Sequence, residues 1–211
     1  MARWRTRIDW LVFGALLMTL LLVAACAPRV MLPPRLDLVE HNPVGLVTFT
    51  IENAKGSLHE LATERFAAEI FASQRGVEVL ELGDAEQVLA EIGESRLNAR
   101  AARAIGEEYG VPAVFVGHIK VSDVKPRGAV LRFPRVEATV SVEITVRLLS
   151  TESGAMRWST TARATELVGE LGLTGGDVYF SAEDPNEAYG RLVDRLIAEV
   201  TADLWPTWVS G

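Results

Sequence analysis

The chain has 211 residues, a single cysteine and a net charge of −7, and 49% of its residues are hydrophobic. An acidic chain is a poor match for nucleic acid or for an anionic bilayer surface, both of which select clustered Lys and Arg. One cysteine excludes an internal disulfide, and the length suits one domain with a core large enough to stand without staples.

The first 25 residues read as an export signal. Arg3, Arg5 and Arg7 form a positive head, and Leu11 to Ala25 form an apolar run shorter than the roughly 20 residues a membrane-spanning helix needs. The small residues Ala24 and Ala25 lead directly into Cys26, so Leu22-Val23-Ala24-Ala25-Cys26 resembles a bacterial lipobox. That resemblance implies that Cys26 is diacylated on sulfur, becomes the new amino terminus and is acylated again. The alternative is an uncleaved anchor with an incidental cysteine at its end. Ala27 in place of an aspartate implies, by analogy with bacterial lipoproteins, delivery to the outer membrane. The signal's three arginines and one aspartate take +2 with them, so the remaining 186 residues carry −9.

Residues 26–44 hold Pro28, Pro33, Pro34 and Pro43, each of which removes an amide donor and restricts its predecessor. They are expected to be a tether between lipid and domain. A single periplasmic domain is expected over residues 45–211.

Leu46 to Ile51 is short and β-rich, as for a strand covered on both faces. Ser57-Leu58-His59-Glu60 has the spacing of a capping box. Behind it Leu58, Leu61, Ala62, Phe66, Ile70 and Phe71 share one helical face to about Ser73. A second strand follows at Val77 to Leu82. Asp84 opens a short helix to Ile92, and Asn98 caps another in which Ala101, Ala102, Ile105 and Tyr109 recur before Gly110. Ala113 to Ile119 is a further buried strand. Strands separated by helices at these spacings argue a parallel core with right-handed crossovers.

From Ala138 to Leu148 the even positions are apolar and the odd ones Thr139, Ser141, Glu143, Thr145 and Arg147, the alternation of a half-buried strand. Thr151-Glu152-Ser153-Gly154 turns it back, and Met156 to Ala164 returns antiparallel. Asp184-Pro185-Asn186-Glu187 opens a last helix, whose stripe of Tyr189, Leu192, Val193, Leu196, Ile197, Val200 and Leu204 must cover a sheet; Trp205-Pro206 ends it. The expected fold is α/β: a mixed sheet with a parallel βαβ core and a C-terminal antiparallel hairpin, helices packed on it, and a terminal helix after the hairpin.

Two stretches carry a resemblance. Ala102 to Ile119, with Tyr109-Gly110, its hydrophobic strand and Gly117, and the hairpin from Val142 through Ser153-Gly154 to Trp158, resemble the curli-secretion lipoprotein family and the related lipoprotein activators of penicillin-binding proteins. The resemblance covers most of residues 45–204 and rests on structural punctuation. Thr48-Phe49-Thr50 departs from the Pro-Phe ending frequent in that family's first strand. It implies either support of peptidoglycan synthesis or, in the curli branch, a ring that inserts two hairpins into the outer membrane. The candidate insertions are Ser122 to Val136 and Thr165 to Glu183. The first falls short of the roughly 20 residues a membrane hairpin needs and the second barely reaches it, so both are expected to be surface loops.

Catalytic signatures are missing. His41, His59 and His118 have no metal-ligand spacing, and neither a nucleophile elbow nor a phosphate loop occurs, so no metal, cofactor or enzymatic activity is expected. His59 is expected to be an exposed first-turn residue and Gly169 to Gly176 a loop. What remains is binding. Trp158, Tyr179, Phe180, Trp205 and Trp208 are candidates for a partner interface, because aromatics concentrate where proteins meet. Core packing is the competing reading for Trp158 and Trp205. Lys125, Arg127, Arg132 and Arg135 form a basic segment that suits an acidic partner or lipid headgroups. The expectation is an outer-membrane lipoprotein that binds another envelope protein, with an oligomeric export ring as the alternative.

Overall fold

The computed structural model describes residues 29–53, 57–122, 125–127, 135–174, 177–182 and 185–210. They fall into two units, the main one running from Pro34 to Trp205 and the other joining the chain up to Pro33 with Pro206 onward. In the second unit β1 (Arg29–Leu32) pairs antiparallel with a strand near the C-terminus, Thr207–Ser210.

The main unit is built on one eight-stranded sheet. Its parallel part comprises β2 (Val44–Val47), β3 (Thr50–Glu52), β4 (Val79–Gly83) and β5 (Ala113–Val121), with β2 between β4 and β5. Helix α1 (Leu58–Ser73) joins β3 to β4, and α2 (Ala85–Glu91) and α3 (Ala99–Tyr109) join β4 to β5. The antiparallel part is β6 (Lys125–Arg127), β7 (Arg135–Ser150), β8 (Met156–Thr174) and β9 (Asp177–Ala182), followed by α4 (Pro185–Val200). The main path across the sheet is β4-β2-β5-β7-β8-β9, with β3 added beside β5 and β6 beside β7. The C-terminal strand of the ribbon is β10 (Thr207–Ser210). The mixed parallel and antiparallel α/β architecture agrees with the sequence expectation.

The larger core lies on the face covered by α1 and α4. Phe49, Phe66 and Ile70 meet Phe115, Ile144 and Leu148 of the sheet and Leu192 and Leu196 of α4. Aromatic rings run through it: Phe49 to Phe66 at 5.4 Å, Phe66 to Phe115 at 5.1 Å edge-on, and Phe115 to Trp158 at 6.1 Å edge-on, arrangements favoured by the ring quadrupoles. A smaller cluster, with Val47, Leu82, Val88, Ala102, Ile105 and Val114, lies under α2 and α3. The first five residues of β5 are therefore buried without alternation, as a strand covered on both faces requires. In β7 the alternation holds: Val140, Val142, Ile144, Val146 and Leu148 are all buried.

Several expectations are corrected. The first strand is not continuous from Leu46 to Ile51; it breaks between β2 and β3, where the Phe49 N–H leaves the ladder and donates to Thr63 Oγ1 at 2.9 Å. Ser57 makes no side-chain cap bond, because its φ/ψ of −97°/24° is not the extended conformation that aims a capping oxygen at the first turn. Asp84 makes none either, whereas Asn98 Oδ1 accepts from Arg100 N and Ala101 N as expected. Phe71, placed by periodicity on the buried face of α1, is exposed, and Ala67 and Thr63 take that face.

The tether expected over residues 26–44 ends early, and with it the boundary at Gly45. Leu36 and Leu38 are buried, and the main unit begins at Pro34. Prolines prevent a ladder there but not burial of the leucines between them. Trp205-Pro206 does not end the terminal helix, which stops at Val200 and passes into a 3-10 turn over Ala202–Leu204. Residues 165–174 and 177–182 are the end of β8 and β9, not a loop, and Lys125 to Arg127 form a strand against β7.

Two local devices hold the helices. At the β7–β8 turn Gly154 has φ +73°, and a Cβ there would meet the Ala99 carbonyl oxygen at 2.4 Å, so both conformation and space demand glycine. Between α2 and α3, Tyr109 Oη donates to Glu91 Oε2. That bond, with the nearby negative charge, pushes the Tyr109 phenol up to about 12 and draws Glu91 below the usual carboxylate range.

Candidate functional site

The connections in the parallel part define a switch point. The chain leaves the β2–β3 segment through α1 to reach β4 on one side, and leaves β4 through α2 and α3 to reach β5 on the other. Because the helices lie on opposite faces, a crevice opens beyond the carboxyl ends of β2 and β4, the place where open α/β sheets take ligands. A cleft of about 490 Å³ lies there, lined by Thr48, Thr50, His59, Asp84, Glu86 and Gln87 among others.

Each wall follows from the local fold. The break after β2 puts Thr48 and Thr50 at the strand end, and Thr63 fixes that break to α1: its hydroxyl accepts from Phe49 N and donates to the His59 carbonyl at 2.7 Å. His59 is half-buried instead of exposed, and its Nδ1 is buried without a hydrogen-bond partner. Asp84, unused as a cap, and Glu86 supply carboxylates from the start of α2. Gln87 is tied back to Glu91 at 3.0 Å. Thr50 Oγ1 donates to the Gly117 carbonyl at 3.2 Å and meets His118 Nδ1 at 2.9 Å. His118 lies in the exposed half of β5, beside Glu52 at 3.5 Å. The cleft is a mixed recess, with Phe49, Ile51 and Ala85 beside polar side chains able to take hydrogen bonds from a donor-bearing group. Among the described residues, no group of three or more His, Cys, Asp and Glu side chains is placed to hold a metal ion.

Sequence reading missed this cleft, since Thr48 and Thr50 were absorbed into a strand. The available signal was positional: polar residues directly after the first two strands of a parallel sheet.

The residues expected at a partner interface fall on several elements. Trp158 belongs to the core: its ring stacks edge-on against Phe115 and its Nε1 donates to Asp203 Oδ2 at 3.1 Å. Trp205 is partly exposed, with Nε1 donating to Glu69 Oε2 at 3.0 Å. Tyr179 and Phe180 are in β9, opposite Gly172 and Leu171 of β8, and Arg127 is in β6 opposite Glu137. Trp208 is in β10 and 63% exposed. Arg132 and Cys26 lie outside the described residues.

No family model and no curated protein sequence matches the chain. Among solved structures it is similar to the PelC dodecamer of Paraburkholderia phytofirmans, at 17% identity and a TM-score of 0.43 over 84% of this chain and 94% of that one. It is also similar to lipoprotein GNA1162 of Neisseria meningitidis, at 16% identity and 0.44 over 76% and 99%. A third is the C-terminal domain of LpoB from Escherichia coli, at 18% identity and 0.35 over 61% and 87%. At such identities and TM-scores none of them assigns a role to a residue of this chain.

Proposed function

We propose that this chain is an exported lipoprotein, held at the outer membrane by acyl chains on Cys26. Its tethered α/β domain binds another envelope protein in support of envelope assembly or peptidoglycan synthesis, without catalysis of its own. The observation that carries the reading is Ala24-Ala25-Cys26 directly after a basic head and a short apolar run. Among the described residues no helix is long and apolar enough to cross a membrane. The acidic charge of the processed chain suits a protein partner better than nucleic acid.

The test is replacement of Cys26 by serine in the native host. Lipidation predicts that the wild-type protein fractionates with outer membranes and carries the mass of its acyl chains, and that the variant loses both. A variant that stays as firmly membrane-bound, with unchanged mass, sinks the reading. Crosslinking in the intact envelope followed by mass spectrometry identifies the partner.

A second reading, a subunit of an oligomeric export ring, draws on one observation: β9 ends the sheet and, among the described strands, has a neighbour on one side only, leaving an edge that another copy can extend. Size measurement of the detergent-extracted protein separates the two, since a monomer or small oligomer supports the first and a large ring the second.

A further inference from the structure

The ribbon of β1 and β10 runs from Arg29 opposite Ser210 to Leu32 opposite Thr207. Directly opposed residues share a face, so Val30, Leu32 and Val209 lie on one side and Met31 and Trp208 on the other. All five are exposed: Val30 by 50%, Met31 by 55%, Leu32 by 43%, Trp208 by 63% and Val209 by 40%. A two-stranded ribbon of this length is marginal in water by itself, and apolar side chains exposed on both of its faces mark something that covers it.

Covalent geometry says what that is. Cys26 precedes Arg29 by three residues, and three extended residues reach at most about 10 Å. Acyl chains on Cys26 lie within one leaflet, whose hydrocarbon half is about 15 Å thick. The start of the ribbon is thereby confined to the membrane surface. Its composition suits that place: an indole and an arginine are side chains favoured at the headgroup level, with aliphatic neighbours reaching deeper. The ladder between the strands satisfies inward-facing backbone groups before they leave water.

We propose that the β1–β10 ribbon is a second, non-covalent membrane contact, seated at the headgroup boundary of the leaflet that holds the Cys26 acyl chains, with Trp208, Met31, Val30 and Val209 against lipid. The proposal rests on the acylation of Cys26 and adds to it the surface that touches the bilayer. A single acyl chain binds only marginally, and a second attachment makes anchoring durable.

The test uses the acylated full-length product in vesicles of phosphatidylethanolamine and phosphatidylglycerol. Acylation consumes the chain's only native thiol, so Met31→Cys, Val209→Cys and, as a control on an exposed part of α3, Arg100→Cys each carry one environment-sensitive fluorophore. The expected result is blue-shifted emission at 31 and 209, quenched roughly twofold or more by spin-labelled lipid relative to the control, as for side chains at the interface. A label-free readout is the difference between wild type and Trp208→Phe, which isolates the Trp208 emission and its quenching by brominated lipid. An intact mass without acyl chains overturns both anchor and ribbon contact. An acylated protein whose labels at 31 and 209 are as wet as the control overturns the ribbon contact alone. Labels shielded from iodide in native envelopes but unquenched by spin-labelled lipid assign the ribbon to a protein partner and overturn the lipid contact.

Discussion

The side chain of Gln74 donates from Nε2 to the Leu204 carbonyl at 2.6 Å, across 130 residues of sequence. The same amide donates to the Leu36 carbonyl at 3.3 Å and accepts from Leu38 N at 3.1 Å. One buried side chain at the end of α1 thus satisfies three backbone groups, two on the segment entering the domain and one on the segment leaving it. Gln74→Ala leaves those groups buried and unpaired, and is expected to destabilise the domain by about 3 kcal/mol. Urea unfolding measures it. A loss well under 1 kcal/mol means that water replaces the amide.

Gly117 is set by Phe49. A Cβ at position 117 would lie 2.3 Å from Phe49 Cδ1, and that ring cannot swing away because Phe66 packs against it. Gly117→Ala is expected to cost about 2 kcal/mol through overpacking. Combining it with Phe49→Leu is expected to recover part of that loss, a coupling of about 1 kcal/mol in a double-mutant cycle. Strict additivity of the two substitutions contradicts the contact.

Tyr109 and Glu91 give a pH signature. The phenol's folded value of about 12 lies above its ordinary 10, so the stability it contributes is present below pH 10 and is lost as pH rises toward 12. Glu91 is shifted down, so its contribution is present above the ordinary carboxylate value and lost in acid. Both describe the same hydrogen bond. Phenolate absorbance, read as wild type minus Tyr109→Phe, is expected to titrate near 12, and Glu91→Gln to bring it back toward 10. A midpoint of 10 in the wild type removes the bond from solution.

The tryptophans separate by role. Trp158→Phe loses the bond to Asp203 and is expected to cost about 1 kcal/mol. Trp208→Ser, at a 63% exposed position, is expected to leave unfolding within about 0.5 kcal/mol. The reverse order in thermal or urea melts exchanges their assignments.

Much of the architecture was legible from periodicity. The alternation from Ala138 to Leu148 identified a strand with one face in the core, and Val140 to Leu148 are buried at every second position. The stripe Leu192, Val193, Leu196, Ile197 and Val200 likewise identified a covering helix. The cleft was not legible. It depends on β2 standing between β4 and β5, a pairing order between distant segments that no local pattern encodes. The end of β8 and β9 read as loop because four glycines weaken a strand pattern, yet antiparallel pairing continues through Gly169 and Gly172.

By itself the sequence determined the main helices and strands and the sheet faces that meet the core, because each is written in neighbouring residues through spacing and side-chain chemistry. Tertiary structure alone decided that Leu36 and Leu38 join the core, that Phe71 and Trp208 are exposed while Trp158 packs half-buried against the core, and that Thr48, His59 and Asp84 share a cleft. Those outcomes depend on which distant segments reach the same volume, and burial is a property of that shared volume instead of any one residue's hydropathy.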